Sequence, residues 1–217
     1  MTNDQQFSHG NNSFKSSYFK IHEKELLDLA QNGQHPKALF IGCADSRVVP
    51  TLITQSEPGD LFILRNVGNF VAPYNPETML HASAPGIEYA VSALEVQEII
   101  ICGHTQCGAI ASLFKEIDNP DLIHTKNWLS LGAKAKSFAL MSLGEDAEEE
   151  KLHRLTEKLS VVSQIENLLT YPSVKRGVAN NSIHIHGWMY DMVSGDIEYY
   201  DPDDGVFKKL TDLSKGE

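Results

Sequence analysis

Three short apolar runs in the first half of the chain predict buried β-strands. They occupy residues 38–42, 61–64 and 98–102, and each ends at a cluster of polar or cysteine residues. Near-continuous apolar runs of this length are typical of strands that are buried on both faces of a parallel sheet. Residues 85–94 show helical spacing of apolar positions, so the order strand, helix, strand indicates an α/β fold.

Helical spacing also appears at the N-terminus. Apolar residues at 14–31 predict a helix that ends at Gly33, because glycine readily forms the cap. Residues 1–13 are polar and rich in Asn and Ser, which predicts a loose arm. We therefore expect a single domain over 1–217 whose first 33 residues form an N-terminal helical arm.

The second half of the chain adds a long helix and a hairpin. Apolar residues at 152–169 recur every three or four positions and follow an acidic segment at 145–151. Residues 183–190 and 197–200 flank Ser194-Gly195, which is typical of a hairpin. The predicted fold is a mainly parallel central sheet flanked by helices, with an antiparallel edge strand from the C-terminal hairpin.

Composition and charge limit the expected binding partners and do not change the predicted fold. The 217 residues are 41% hydrophobic and 22% charged, as in ordinary globular domains. A formal net charge of −11 repels phosphate groups, so neither nucleic acid nor an anionic membrane is an expected partner. No apolar run reaches the roughly 18 residues that would span a bilayer, and the N-terminus lacks the pattern of a signal peptide.

Cysteine usage indicates a reducing compartment. The chain has three cysteines, Cys43, Cys102 and Cys107, and an odd count without an export signal argues against a disulfide framework. We therefore expect a cytoplasmic protein. Cys102 belongs to the third apolar run, which favours a place in the core.

The other two cysteines and a histidine stand at the ends of predicted strands. Cys43 follows the first run, and His104 and Cys107 follow the third. Ligands of open α/β sheets bind outside the carboxyl ends of the strands. Thiolate and imidazole are good zinc ligands, and a Cys₂His set leaves the fourth position open, as in catalytic sites. The sequence predicts one zinc ion per chain, bound by Cys43, His104 and Cys107.

A carboxylate and a guanidinium follow the first ligand closely, in the order Cys43, Asp45, Arg47. Zinc lowers the pKa of a bound water toward about 7, and an acceptor beside the metal can hold and orient the resulting hydroxide. Arg47 can form a forked pair with Asp45 and keep it ionised. We therefore expect Asp45 and Arg47 to be catalytic.

Together these motifs resemble those of the β-class carbonic anhydrases, in particular bacterial and cyanobacterial members. The resemblance rests on C-A-D-S-R at 43–47, R-N-V-G-N at 65–69 and G-H-T-Q-C-G at 103–108, and it continues at 164–167 and 187–190. It implies reversible hydration of carbon dioxide to bicarbonate and a proton by a zinc-bound hydroxide. It also implies a homodimer or a homotetramer that uses the N-terminal arm.

The resemblance implies roles for five further residues. Gln34 matches a glutamine that can reach the substrate across a dimer interface. Phe62, Val67 and Tyr89 match an apolar pocket for carbon dioxide, although a core role is equally natural for Phe62 and Val67. Gly108 matches a position at which the backbone approaches the metal closely.

One departure from the family concerns regulation. Some members carry an inhibitory bicarbonate site built from a tryptophan, an arginine and a tyrosine. Arg65 and Tyr190 match two of these positions, but Phe40 occupies the tryptophan position and has no N–H to donate. The sequence therefore predicts that this inhibitory site is absent.

Three other functions stay open from the sequence alone. The same metal centre could hydrolyse another small heterocumulene, such as carbon disulfide or carbonyl sulfide. A non-catalytic zinc-binding paralogue is a second possibility, but it would be free to lose Asp45 or Arg47. A thiol-redox protein is the third, but the chain has no C-x-x-C motif.

Overall fold

The computed structural model describes residues 2–77 and 82–215. The chain divides into two compact units, one ending at His35 and the other starting at Pro36. The extent of the predicted single domain stays a prediction. Within the described residues, no helix combines the length and the apolarity that crossing a membrane would require.

The N-terminal unit is helical almost throughout. It contains α1 (Asn3–Phe14), a π-helical segment (Lys15–Phe19) and α2 (Glu23–Asn32). The prediction of a loose arm at 1–13 is wrong for residues 3–13. Thr2 forms a capping box with Gln5, each side chain accepting the other's backbone N–H, and this satisfies donors at the start of α1.

The predicted helix at 14–31 is wrong in its bounds, since α1 already ends where it was expected to begin. A break at His22 separates the π-helical segment from α2. The predicted stop is confirmed, because α2 ends at Gly33, whose φ of 89° favours glycine.

The second unit is built on one six-stranded sheet with the order β2-β1-β3-β4-β5-β6. The pairs β1–β2, β1–β3 and β3–β4 are parallel, and β5 and β6 are added antiparallel. The predicted fold class is confirmed, and β6 is an additional edge strand that the sequence pattern did not predict. The strands are β1 (Ala38–Cys43), β2 (Leu61–Asn66), β3 (Glu98–His104), β4 (His184–Tyr190), β5 (Ile197–Asp201) and β6 (Val206–Lys209).

Helices connect and cover these strands. The longest, α8, includes most of the predicted helix at 152–169 and ends just before Tyr171 and Pro172. The α-helices of this unit are α3 (Pro50–Thr54), α4 (Ser83–Ser92), α5 (Gly108–Ser112), α6 (Ile123–Leu129), α7 (Ala133–Leu143), α8 (Glu149–Leu168) and α9 (Pro172–Ala179).

The main core lies between one face of the sheet and helices α4, α8 and α9. Leu39 and Ile41 of β1 and Ile99 and Ile101 of β3 form its centre. β1 is buried along its whole length, as predicted, and β3 nearly so. The same prediction is wrong for β2, because this strand lies at one edge of the sheet and Ile63 is 37% exposed.

Candidate active site

The strand order places the ligand-bearing loops side by side. β1 lies between β2 and β3, and the chain reverses direction across the sheet after β2. This is the topological switch point of an open parallel sheet, where a crevice forms outside the carboxyl ends of the strands. Cys43 ends β1 and His104 ends β3, so both side chains meet at that crevice.

The three predicted metal ligands come together. One ligand atom each from Cys43, His104 and Cys107 lies within 4.8 Å of the others, and all three residues are buried. His104 Nδ1 lies 2.9 Å from the Thr105 carbonyl oxygen, which fixes the tautomer that leaves Nε2 with a free lone pair. Nε2 is buried without a hydrogen-bond partner among the described residues. A borderline-soft cation such as zinc fits this donor set and would satisfy that nitrogen.

The two sulfurs influence each other's protonation. A hydrogen bond from the Cys107 thiol lowers the pKa of Cys43 well below its ordinary value, and the same pairing raises the pKa of Cys107. The Asp45 backbone N–H also points at Cys43 Sγ, at 3.4 Å. One thiolate therefore disfavours a second one beside it, and a bound dication removes that conflict because it stabilises both.

Asp45 and Arg47 form the predicted forked pair. Arg47 donates from Nε to Asp45 Oδ1 at 2.9 Å and from Nη2 to Asp45 Oδ2 at 2.8 Å. The Arg47 guanidinium holds the pKa of the Asp45 carboxyl well below its usual range, so Asp45 stays ionised. Arg47 Nη2 also donates to the Gln106 carbonyl oxygen at 3.2 Å, which ties the loop after β1 to the turn after β3.

Arg65 braces the backbone of the same loop. Its Nε donates to the Cys43 carbonyl oxygen at 3.0 Å, and its Nη2 donates to the Asp45 carbonyl oxygen at 2.6 Å. Phe40, which replaces the tryptophan of the inhibitory site, is fully buried. The absence of that site stays a prediction.

The predicted substrate residues lie in different settings. Phe62 and Tyr89 contact each other, with ring centroids 5.9 Å apart. Val67 is 43% exposed and lines a cleft of about 890 Å³ together with Ala44, the residue after Cys43. Their role in substrate binding stays a prediction.

The structure does not test the predicted roles of two further residues, Gly108 and Gln34. A Cβ added at Gly108 would meet no atom within 4 Å, so packing does not require glycine there. Gln34 belongs to the N-terminal unit. The roles of Gly108 and Gln34 in substrate binding stay predictions.

Glu157 is a buried residue beside the ligands that the sequence analysis missed. Its side chain is 2% exposed, and Oε1 accepts the Cys107 backbone N–H at 3.0 Å. Arg154 lies one helical turn away, with Nη1 3.0 Å from Glu157 Oε2. Burial raises the pKa of Glu157 to about 7 despite these contacts.

The missed signal lies in the spacing of polar residues along α8. The sequence analysis followed the leucine stripe of this helix, but polar residues such as Thr156, Glu157, Ser160 and Gln164 are buried together with Leu152 and Leu168. Glu157, Ser160 and Gln164 recur at spacings of three and four, so they share one helical face just as an apolar stripe does. A polar stripe of this kind usually faces solvent, so its burial was not expected from the sequence.

Comparison with known proteins identifies the family of enzymes to which the chain is similar. The family model described as "Carbonic anhydrase" matches residues 38–197. A carbonic anhydrase of Synechocystis is 36% identical over 198 residues, which are 91% of this chain and 71% of that protein. A carbonic anhydrase of Pseudomonas aeruginosa is 39% identical over 191 residues, which are 88% of this chain and 84% of that protein.

Solved structures agree in fold. The structure of the β-carbonic anhydrase CcaA has a TM-score of 0.87 at 35% sequence identity, covering 94% of this chain and 91% of that chain. A tetrameric β-carbonic anhydrase from Sordaria macrospora has a TM-score of 0.78 at 28% identity, covering 96% of this chain and 98% of that chain.

Proposed function

The chain belongs to the β-class carbonic anhydrases and catalyses the reversible hydration of carbon dioxide, and we propose that it does so with one zinc ion held by Cys43, His104 and Cys107. The observation that carries this proposal is the convergence of three buried ligand atoms within 4.8 Å. The unpartnered Nε2 of His104 supports it, because a buried polar atom without a partner is costly unless a ligand satisfies it. Bound zinc would supply a water whose pKa is lowered toward about 7.

We propose that Asp45 orients the reacting water and Arg47 orients Asp45. Asp45 Oδ1 accepts from both the backbone N–H and Nε of Arg47, whereas Oδ2 accepts only from Nη2 and keeps a second lone pair. An ionised carboxylate accepts a hydrogen bond but donates none, so Asp45 can fix which lone pair of the oxygen faces the substrate. The depressed pKa of Asp45 keeps the carboxylate in this accepting form at any neutral pH.

We propose that Phe62, Val67 and Tyr89 line the path of carbon dioxide, with Gly108 beside the metal. The contact between Phe62 and Tyr89 supports an apolar surface, and such a surface suits a neutral, linear gas. Gln34 would hydrogen-bond the substrate from a second copy of the chain. Exposed apolar residues such as Leu52, which is 65% exposed, and the tetrameric relative from Sordaria macrospora support a homo-oligomer, either a dimer or a tetramer.

A cytoplasmic location follows as part of the same proposal. Both cysteine ligands must stay reduced to bind metal, which a reducing compartment ensures. Hydrolysis of carbon disulfide or carbonyl sulfide is not favoured, because the matched family and the relatives named above are carbonic anhydrases.

The test combines metal analysis with stopped-flow hydration of carbon dioxide at pH 7 and pH 8.5. We expect about one zinc per chain, fast hydration that is lost on chelation, and recovery when zinc is returned. Cys107→Ala should lose both zinc and hydration. Cys102→Ala is the matched control, since Cys102 is equally buried but is not part of the ligand cluster. A protein that binds one zinc per chain and hydrates no carbon dioxide at either pH would contradict the proposal.

A further inference from the structure

Glu157 is a carboxylate that the proposed reaction does not use, although it touches a metal ligand. It lies on α8, 50 residues from Cys107 in the chain, and accepts the Cys107 N–H at 3.0 Å. Only 2% of its side chain is exposed, whereas 32% of the Arg154 side chain that pairs with it is exposed. Burying a carboxylate is costly, so its position calls for a physical reason.

The atoms that Glu157 and Arg47 bind belong to one peptide group. Arg47 donates to the carbonyl oxygen of Gln106, and Glu157 accepts from the N–H of Cys107, so the peptide between Gln106 and Cys107 is held from both sides. Gln106 has a φ of 58°, in the left-handed region that residues other than glycine adopt at a cost. The two contacts therefore hold a backbone conformation that would otherwise be disfavoured.

A close approach of α8 to β3 brings Glu157 within reach of that peptide. A Cβ at Gly103, the residue before His104, would lie 2.6 Å from Val161 Cγ2 and 3.8 Å from the Glu157 carbonyl oxygen. Gly187 on the neighbouring strand β4 is similar, since its Cβ would lie 3.0 Å from Val161 Cγ1. Two adjacent strands thus present glycine where the helix crosses them.

We propose that Glu157 is a positioning residue for the metal centre: by holding the Cys107 N–H, it fixes the direction in which Cys107 presents its sulfur to zinc. This inference rests on the proposed zinc function. Residues that hold ligands in place typically change metal affinity by 10-fold to 100-fold when they are removed. Glu157 acts through Cys107 and does not touch the substrate.

The test measures zinc affinity by competition with a chromophoric chelator, on the full chain and its variants. We expect Glu157→Ala to bind zinc about 10-fold to 100-fold more weakly than the unaltered chain. Glu157→Gln should retain affinity to within a few-fold, because its amide oxygen can still accept the Cys107 N–H. The absorption bands of cobalt(II) bound in place of zinc should shift in Glu157→Ala, since they report the geometry of the ligands.

Gln164→Leu is the matched control for a general loss of stability. Gln164 is another fully buried polar residue of α8, and its Oε1 accepts the Val71 N–H at 2.8 Å without touching a ligand. We expect this variant to unfold at a lower urea concentration but to keep its zinc affinity and its cobalt spectrum.

Three results would overturn the inference. Wild-type zinc affinity in Glu157→Ala would show that the contact does not position the ligand. An equal loss in Gln164→Leu would show that any damage to α8 has the same effect, and an equal loss in Glu157→Gln would show that the hydrogen bond is not the cause. Failure of the unaltered chain to bind zinc would instead count against the proposed function, so the two failures are distinguishable.

Discussion

Two carboxylate–arginine pairs adjoin the proposed zinc site; they are chemically alike and differ in environment. The outer pair, Asp45 and Arg47, follows Cys43, and its carboxylate is 18% exposed. The inner pair, Glu157 and Arg154, supports Cys107, and its carboxylate is 2% exposed. The pKa of Asp45 is lowered by hydrogen bonds from Arg47, whereas burial raises that of Glu157 to about 7.

The difference shows that a carboxylate–arginine pair can have two different roles. In the outer pair the arginine forks onto both carboxylate oxygens, which leaves an ionised and oriented acceptor beside the metal ligands. In the inner pair the carboxylate instead holds a backbone N–H. We therefore expect the outer pair to determine turnover and the inner pair to determine stability and metal retention.

The largest expected effect comes from neutralising the outer carboxylate. Asp45→Asn should lower kcat by about 100-fold to 1,000-fold, because the amide can donate to the reacting oxygen and no longer orients it correctly. Stopped-flow hydration at saturating zinc measures this loss. Asp60→Asn is the control, since Asp60 pairs with Lys37 at 2.7 Å away from the metal ligands and should leave kcat unchanged.

Added zinc separates this loss from any loss at the inner pair. Excess zinc should restore much of the activity of Glu157→Ala but none of that of Asp45→Asn. Full recovery of hydration activity in Asp45→Asn on addition of zinc would show that the outer pair acts on metal retention. That result would contradict the distinction between the two pairs.

Removing the two arginines should affect folding in the opposite order from kcat: the larger loss of stability is expected at the inner pair. Arg154→Met leaves the Glu157 carboxylate buried without its counter-charge, and we expect it to lower the free energy of unfolding by about 3 kcal/mol at pH 8. Arg47→Met disrupts a more exposed pair and should lower the urea midpoint much less, while it lowers kcat. Equal urea midpoints for the two variants would show that burial does not distinguish the pairs.

The opposite pKa shifts predict opposite responses to pH. Glutamate in an unfolded chain titrates near 4.5, and the folded chain raises this pKa to about 7. The folded state therefore holds the proton more tightly, so the contribution of Glu157 is full below pH 4.5 and is lost as the pH rises toward 7. This loss amounts to about 3 kcal/mol across the interval.

Urea unfolding of chelator-treated protein at several pH values between 4.5 and 7 measures the slope of the free energy of unfolding against pH. Glu157→Gln should make this slope smaller. Asp45→Asn should not, because the lowered pKa of Asp45 adds stability that is lost only as the pH falls below its ordinary titration range. If Glu157→Gln and the unaltered chain gave parallel curves, Glu157 would not be the source of the slope.

The smallest expected effect concerns the two glycines that frame the G-H-T-Q-C-G motif. Gly103→Ala would place its Cβ 2.6 Å from Val161 Cγ2, so the Val161 side chain or α8 must shift, and we expect a loss of about 1–3 kcal/mol in the free energy of unfolding. Gly108→Ala meets no atom within 4 Å and should lose no stability. A stable Gly103→Ala variant would show that the helix has room to move and that the inner pair is less constrained than we infer.

The sequence was sufficient to predict that Cys43, His104 and Cys107 come together, that Asp45 pairs with Arg47, and where the main strands lie along the chain. Cys43, Asp45 and Arg47 lie within five residues of one another, and His104 and Cys107 follow a strand directly, so local spacing already limits their geometry. Parallel strands bring such loops to one sheet edge whatever the length of chain between them. That is why residues 60 positions apart could be assigned to one site.

Burial, by contrast, was decided only by the tertiary structure. The sequence pattern predicts that Ile63 is in the core, but it is 37% exposed. The same pattern predicts that Glu157 is at the surface, but its side chain is 2% exposed. The same holds for residues 3–13, whose composition suggests a loose arm although a capping box starts a helix there. Whether a side chain is buried depends on what the rest of the chain packs against it, and the contact from Glu157 to Cys107 bridges 50 residues that no local pattern records.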